Sequence, residues 1–179
     1  MTSDDLVPVL LTDRLRLRAH RLDDFPACAA MWADGQVVAH ISGKPSTEGE
    51  TWSRLLRYAG HWLHLGFGYW AVEDRDTGAF LGEVGFADYH RDTEPGLAGT
   101  PEAGWVFATA AHGRGIATEA VRAMLDWADR TLPHTRTAAI FDPGHAASIG
   151  VARKIGFGGD VTGRYGEDPA LFLFRDRPL

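Results

Sequence analysis

Between Glu102 and Arg130 the chain passes from a β-rich segment, EAGWVF, through a polar stretch with two glycines, AAHGRG, into a run of helically spaced apolar residues. This order constrains the fold more than any other segment. Glycine costs about 1 kcal/mol against alanine in a helix interior, so Gly113 and Gly115 at a helix threshold need a local reason. One reason is a tight strand-to-helix turn in which glycine adopts a dihedral that other residues avoid. The other is an anion site. The first amides of a helix have no partner within it, the helix dipole makes that end positive, and glycine lets an anion reach the backbone. Spacing alone leaves both open.

Two nucleotide motifs can be compared with the run. Gly113-x-Gly115-x-x-Thr118 imitates the dinucleotide fingerprint, but its third position is threonine. That fingerprint also opens a βαβ unit and is followed about 20 residues on by an acid. The run lies in mid-chain, and LPHTRTA supplies no acid at that distance. No Gly-Lys-Ser/Thr exists for a phosphate loop of the Walker type.

The rest of the chain supplies a mixed frame. RLRLR (Arg14–Arg18) alternates like a half-buried strand. LDDFPACAAMWA reads as a helix with Asp23 as N-cap, and Thr47 with Glu50 has capping-box spacing for a second helix ending near Leu65. YWAVEDRDTGAFLGEVGF reads as a hairpin turning at Asp74–Gly78. A polar loop, Ala87–Pro101, precedes the strand Glu102–Ala108. After the glycines come a helix from Gly115 to Arg130, a strand Arg136–Phe141, a helix Ala146–Lys154 and a last strand Ala170–Phe174. An antiparallel first half running into βαβ predicts one α/β domain over residues 1–179, with a central sheet flanked by helices.

Composition narrows the function. The formal charge of −6 argues against nucleic acid, which requires a basic face, and suits an amine-bearing partner. No apolar stretch approaches the roughly 20 residues of a membrane span, and the acidic start, MTSDDLVPVLL, lacks a secretory n-region. Cys28 is the single cysteine, so no internal disulfide and no cysteine cluster for a metal are expected. These features predict a cytoplasmic protein. With Lys44 and Lys154 the only lysines among 18 basic residues, the arginine and alanine bias suggests a bacterial source.

The residues also resemble a known family. His112-Gly113-Arg114-Gly115-Ile116-Ala117 resembles the Q/R-x-x-G-x-G/A motif of the GNAT superfamily of N-acetyltransferases, and the continuation ATEA is typical of the subgroup that includes ribosomal-protein alanine N-acetyltransferases. LLTDRLRLR, GFGYWAV, FLGEVGF and EAGWVF, in that order, extend the resemblance. HAASIGVARKIGF resembles the family's N-x-x-S…K-x-G-F segment, with His145 where asparagine is usual. His112 likewise stands where the family has Gln or Arg.

The resemblance implies a mostly antiparallel sheet in which the parallel strands Glu102–Ala108 and Arg136–Phe141 splay apart to form a coenzyme A cleft. Acetyl-CoA would pair its pantetheine with the backbones of Val106, Phe107 and Ala108. Amides of Gly113, Arg114, Gly115, Ile116, Ala117 and Thr118 would line its pyrophosphate, with His112 and His145 as further contacts. A diphosphate requires several convergent N–H donors and no side chain in the way.

Acetyl transfer by direct attack needs a base for the amine, an oxyanion donor and a proton for the departing thiolate. Ser148 matches the family's serine and is the candidate for the thiolate; an alternative is a hydroxyl that bonds the helix backbone. The tyrosine that many relatives use as acid is replaced by Ala152. Glu83 and Glu102 are the candidate bases, on strands expected to flank the cleft. His40 and His90 are expected as solvated loop residues, His61 and His64 as a helix-surface pair, and Cys28 as a core thiol. No metal is expected. The implied partner is an amine-bearing small molecule or a protein N-terminus, and the chain is expected as monomer or homodimer. Two other classes stay open: a non-catalytic coenzyme A-binding module and a dinucleotide-dependent oxidoreductase.

Overall fold

Leu15 and Leu17 are both fully buried, as the alternation in RLRLR requires, and their strand lies near one margin of a nine-stranded sheet. The computed structural model describes residues 6–178. In chain order the elements are β1 (Leu10–Leu11), β2 (Leu15–Arg18), α1 (Phe25–Trp32), α2 (Gly35–Val38) and α3 (Glu48–Leu65). They continue with β3 (Tyr69–Asp74), β4 (Phe80–Ala87), β5 (Thr93–Glu94), β6 (Glu102–Phe107) and α4 (Ile116–Thr131). The chain ends with β7 (Arg136–Phe141), α5 (Ala146–Lys154), β8 (Gly158–Tyr165) and β9 (Asp168–Asp176). The sheet runs β1-β2-β3-β4-β6-β7-β9-β8-β5 and is antiparallel except for the central pair β6–β7.

Local signals set several boundaries. Thr47 and Glu50 form the reciprocal capping box of α3, and Gly66, at φ +72°, ends that helix in the left-handed region. The β3–β4 turn is held by the Asp74 carboxylate, which accepts the amides of Asp76 and Thr77. The start of α1 differs from expectation. A short 3-10 turn, Leu22–Asp24, precedes it, and the capping carboxylate is that of Asp24, not Asp23, accepting the Arg21 amide at 2.8 Å. Asp24 is drawn inward because it also binds Arg18 through two bonds, of 2.7 and 2.8 Å. Arg18, only 6% exposed, is held as well by Glu73 at 2.7 Å.

The main core lies between the sheet and α4, where Ile116, Ala120, Val121 and Met124 pack against Trp70, Val84 and Phe86. Trp70 and Trp127 meet edge to face at 5.0 Å, and Trp62 closes the group. Each such large apolar side chain contributes about 1.5–3 kcal/mol on burial. Among the described residues no helix is long and apolar enough to cross a membrane. α1 and α3 also meet the buried Glu83 of β4 through Trp32 and Tyr58, a polar contact that borders the cleft.

Candidate active site

β6 and β7 share a backbone pairing at one place only, near the start of β6. Glu102 pairs with Ala138, the Ala138 amide donates to Pro101 O at 3.1 Å, and the ladder stops there. The Ala108 amide donates to Leu81 O of β4 at 2.9 Å. Backbone groups alternate along a strand, so Val106 and Ala108 bond toward β4 while Trp105 and Phe107 face the gap beside β7. Of the three expected backbone partners, only Phe107 therefore faces the cleft, its N–H open and its C=O taken up by His112, and Trp105 joins it. Gly104 makes room for Tyr69, whose hydroxyl sits where a Cβ would project.

The free edge leads through a 3-10 turn, Thr109–Ala111, into the glycine loop. Gly113 and Gly115 take φ of +71° and +76°, so both meet the dihedral requirement of the turn. The space above them is also open: a Cβ at Gly113 meets nothing within 4 Å, and one at Gly115 only Arg14 Nη2 at 3.6 Å. Gly115 caps α4 without any side-chain bond, leaving the first amides from Ile116 to Thr118 without helical partners. A free strand edge followed by an unobstructed cradle of amides fits an amide-bearing chain ending in a diphosphate.

Two side chains near the loop depart from expectation. His112 turns back on the strand, its Nε2 donating to Phe107 O at 2.9 Å, so the ring closes the end of β6. Arg14, which sequence reasoning passed over, donates to Arg114 O at 2.9 Å and pairs with Glu119 at 2.7 Å, tying the β1–β2 turn to the first turn of α4.

Across the gap, at the start of α5, Ser148 Oγ lies 3.2 Å from His145 Nε2. The hydroxyl thus meets a side chain where a backbone bond was the alternative. His145 stacks on His40 at 4.8 Å, and His40 Nδ1 bonds Asp142 at 2.8 Å. His40 is an exposed loop residue, as expected, whose ring joins this cluster, and Asp142 was not singled out in the sequence. Burial, and His40 beside it, hold the His145 imidazole below its usual value. The bonds from His40 and the Gly144 amide hold the Asp142 carboxyl below the usual carboxylate range.

The two candidate bases differ in setting. Glu102 is held by Arg91 Nε at 2.8 Å. Glu83, 1% exposed, accepts at Oε1 from Tyr58 Oη at 2.5 Å and Trp32 Nε1 at 3.0 Å, while its Oε2 lies 3.4 Å from His20 Nε2. Burial and the adjacent carboxylate push the Tyr58 phenol well above its usual value, so it stays protonated. Cys28 is buried nearby, and burial followed by Glu83 pushes its thiol up, away from nucleophilic use. Its sulfur and the His20 and Glu83 donors lie within 4.8 Å of one another. His61 also departs from expectation: it is buried and bonds Arg57 O at 2.9 Å, so it forms no surface pair with His64.

These elements enclose a cleft of about 1180 Å³ that runs from β6 and β7 to α3 and the β8–β9 hairpin. Tyr58, Glu102, Trp105, His145 and Ser148 line it; Glu83 lies behind Tyr58 and Trp32, which both donate to it.

Comparison with known proteins agrees with this geometry. The family model described as an acetyltransferase (GNAT) domain matches residues 14–158. YkkB of Bacillus subtilis, an uncharacterized protein, is 33% identical over 152 residues, covering 82% of this chain and 83% of its own. A GnaT-family acetyltransferase from Bordetella pertussis superposes with a TM-score of 0.81 at 32% identity, covering 94% of this chain and 99% of that one. A ribosomal-protein α-N-acetyltransferase in complex with coenzyme A superposes with a TM-score of 0.75 over 94% of this chain and 98% of that one; at 14% identity it speaks to the fold alone.

Proposed function

This chain belongs to the GNAT acetyltransferase family, and from that premise we propose that it transfers an acetyl group from acetyl-CoA to a primary amine by direct attack in a ternary complex. The single observation that carries the reading is the splayed pair β6–β7, whose free edge at Trp105 and Phe107 runs into the open amide cradle at Gly113–Thr118. The acceptor is a small-molecule amine or a protein N-terminus, and the site of action is the bacterial cytoplasm.

Acetyl-CoA supplies an activated thioester, and the chain supplies position and proton control. Amides of Gly113, Arg114, Gly115, Ile116, Ala117 and Thr118 receive the pyrophosphate, and Trp105 and Phe107 pair with the pantetheine. The Phe107 amide is the oxyanion donor; one such donor is worth about 10²–10³ in rate. Of the two carboxylates we assign the base to Glu83, acting through Tyr58. As the phenol takes a proton from the ammonium it passes its own to Glu83 Oε1, and the amine is left neutral. Glu102 holds Arg91 in place. Ser148 donates to the departing thiolate, and His145 behind it holds the hydroxyl. His145 contributes to the site through Ser148, and His112 through the end of β6.

The deciding experiment pairs a thermal shift with acetyl-CoA and a coenzyme A release assay over a panel of amines and peptides. Stabilisation together with release is expected. No shift at millimolar acetyl-CoA refutes the reading, and a shift with no turnover of any amine reduces the chain to a coenzyme A-binding module.

A further inference from the structure

In a chain of formal charge −6, the wall of the cleft built by α3 is cationic. Most charged groups around the cleft are already matched. Arg91 holds Glu102 at 2.8 Å, His40 holds Asp142 at 2.8 Å, and Asp92 meets Arg164 at 3.3 Å. Among the described residues the lining groups outside ion pairs are Asp168, at the tip of the β8–β9 hairpin, and two arginines one turn apart on α3, Arg54 and Arg57. Glu50, one turn before Arg54, is committed to the Thr47 capping box.

Both guanidiniums are positioned by aromatic rings. Arg54 lies 3.6 Å from the centroid of the Trp32 indole, and its Nη1 is buried without a hydrogen-bond partner. Arg57 lies 4.9 Å from the Tyr89 ring, which Arg91 also meets at 4.6 Å. A guanidinium stacked on an aromatic face keeps its N–H edge for acceptors in its own plane, and the planar fork matches carboxylate and phosphate oxygens. Like charges one helical turn apart repel, and an anion between them removes that cost.

We infer that Arg54 and Arg57 form an anion subsite in the acceptor half of the cleft, and that the acceptor is a primary amine carrying a carboxylate or a phosphate. This deepens the acetyltransferase reading and rests on it. Trp32, beneath Arg54, donates to the same Glu83 oxygen that accepts from Tyr58. An anion on Arg54 therefore anchors the acceptor beside the groups assigned to remove its proton. A polyamine would meet charge of its own sign along the same wall.

The test uses matched amines: β-alanine against propylamine, and phosphoethanolamine against ethanolamine. Calorimetric titration of the protein, with and without coenzyme A, reads the subsite directly, and coenzyme A release reads turnover. The member of each pair that carries the anionic group (the anionic amine) is expected to bind, and to exceed the member that lacks it in kcat/KM by about tenfold to hundredfold, the worth of one charge-assisted hydrogen bond. The favoured pair distinguishes carboxylate from phosphate. R57Q, at an exposed position, and R54Q are each expected to lower kcat/KM for the anionic amine by about tenfold or more, with R54K retaining part of the preference. Equal use of amines with and without the anionic group, preference for spermidine, or failure of both anionic amines to bind overturns the subsite. Failure of acetyl-CoA to bind counts against the acetyltransferase reading instead, and the titration with anionic amines still decides the subsite.

Discussion

Gly66, Gly113 and Gly115 share a backbone requirement and differ in what lies above them. Their φ values are +72°, +71° and +76°, and none has protein atoms nearer than 3.6 Å to a projected Cβ. Alanine at any of the three costs the left-handed penalty of about 1–2 kcal/mol. In a domain of this size that lowers Tm by roughly 2–8 °C. Gly66 ends α3, whereas Gly113 and Gly115 border the proposed pyrophosphate position. There a new methyl group displaces a phosphate oxygen or breaks one amide bond to it, worth about 1.5–3 kcal/mol. That corresponds to roughly a tenfold to hundredfold rise in the acetyl-CoA Kd. The assay is a thermal melt of each variant beside a calorimetric titration with acetyl-CoA. Similar stability losses are expected for G66A, G113A and G115A, with weakened binding confined to the last two, and severe weakening in G115V. If all three bind acetyl-CoA as the parent does, the glycines serve the turn alone and the cradle assignment fails.

Ser148→Ala is expected to lower kcat while leaving the acetyl-CoA Kd nearly unchanged, a split that steady-state kinetics and titration measure separately. Because burial lowers the His145 pKa, the folded protein binds fewer protons there than the unfolded chain. Stability from this group is therefore lost as pH falls below about 6.5, the ordinary imidazole value, and denaturant melts of the parent and His145→Asn over that range check the sign. Glu83→Gln and Tyr58→Phe are each expected to reduce kcat by about 10² or more, and the double variant by no more than the larger single loss; additive losses would show that the two groups do not act as a unit. Burial alone would push the Asp24 carboxyl up, but the bonds from Arg18 and the Arg21 amide outweigh it and hold it low. Asp24→Asn leaves Arg18 buried beside Glu73 alone and is expected to cost about 3 kcal/mol, a Tm loss of roughly 6–12 °C.

What could be read in the sequence was what a few adjacent residues determine. The capping box at Thr47 and Glu50, the turn at Asp74–Gly78 and the glycine loop depend on dihedrals and bonds within four or five residues, and each stands where expected. The mostly antiparallel sheet with its splayed parallel pair followed from the resemblance, whereas the order of the strands and the short strands β1 and β5 did not. Distant pairings were illegible. His40 and Asp142 are 102 residues apart, and Tyr58 and Glu83 are 25 apart. No pattern along the chain marks either pair. Asp23 was favoured over Asp24 for the start of α1 because capping propensity carries no information about Arg18, which the fold brings alongside. The backbone phase of β6 was missed for a similar reason: periodicity identifies a strand but not which neighbour its odd residues face. Arg54 and Arg57 look like ordinary solvated charges on an amphipathic helix until Trp32 and Tyr89 are set against them.

Both margins of the sheet are strands of two residues, β1 and β5. At these outermost strands a neighbouring molecule seeking to extend the sheet finds a ladder of only two residues. A stretch of strand backbone without a ladder partner also lies in mid-sheet between β6 and β7, at Trp105 and the Phe107 amide. A slender, flexible chain can thread there, while a folded partner cannot bring a strand alongside.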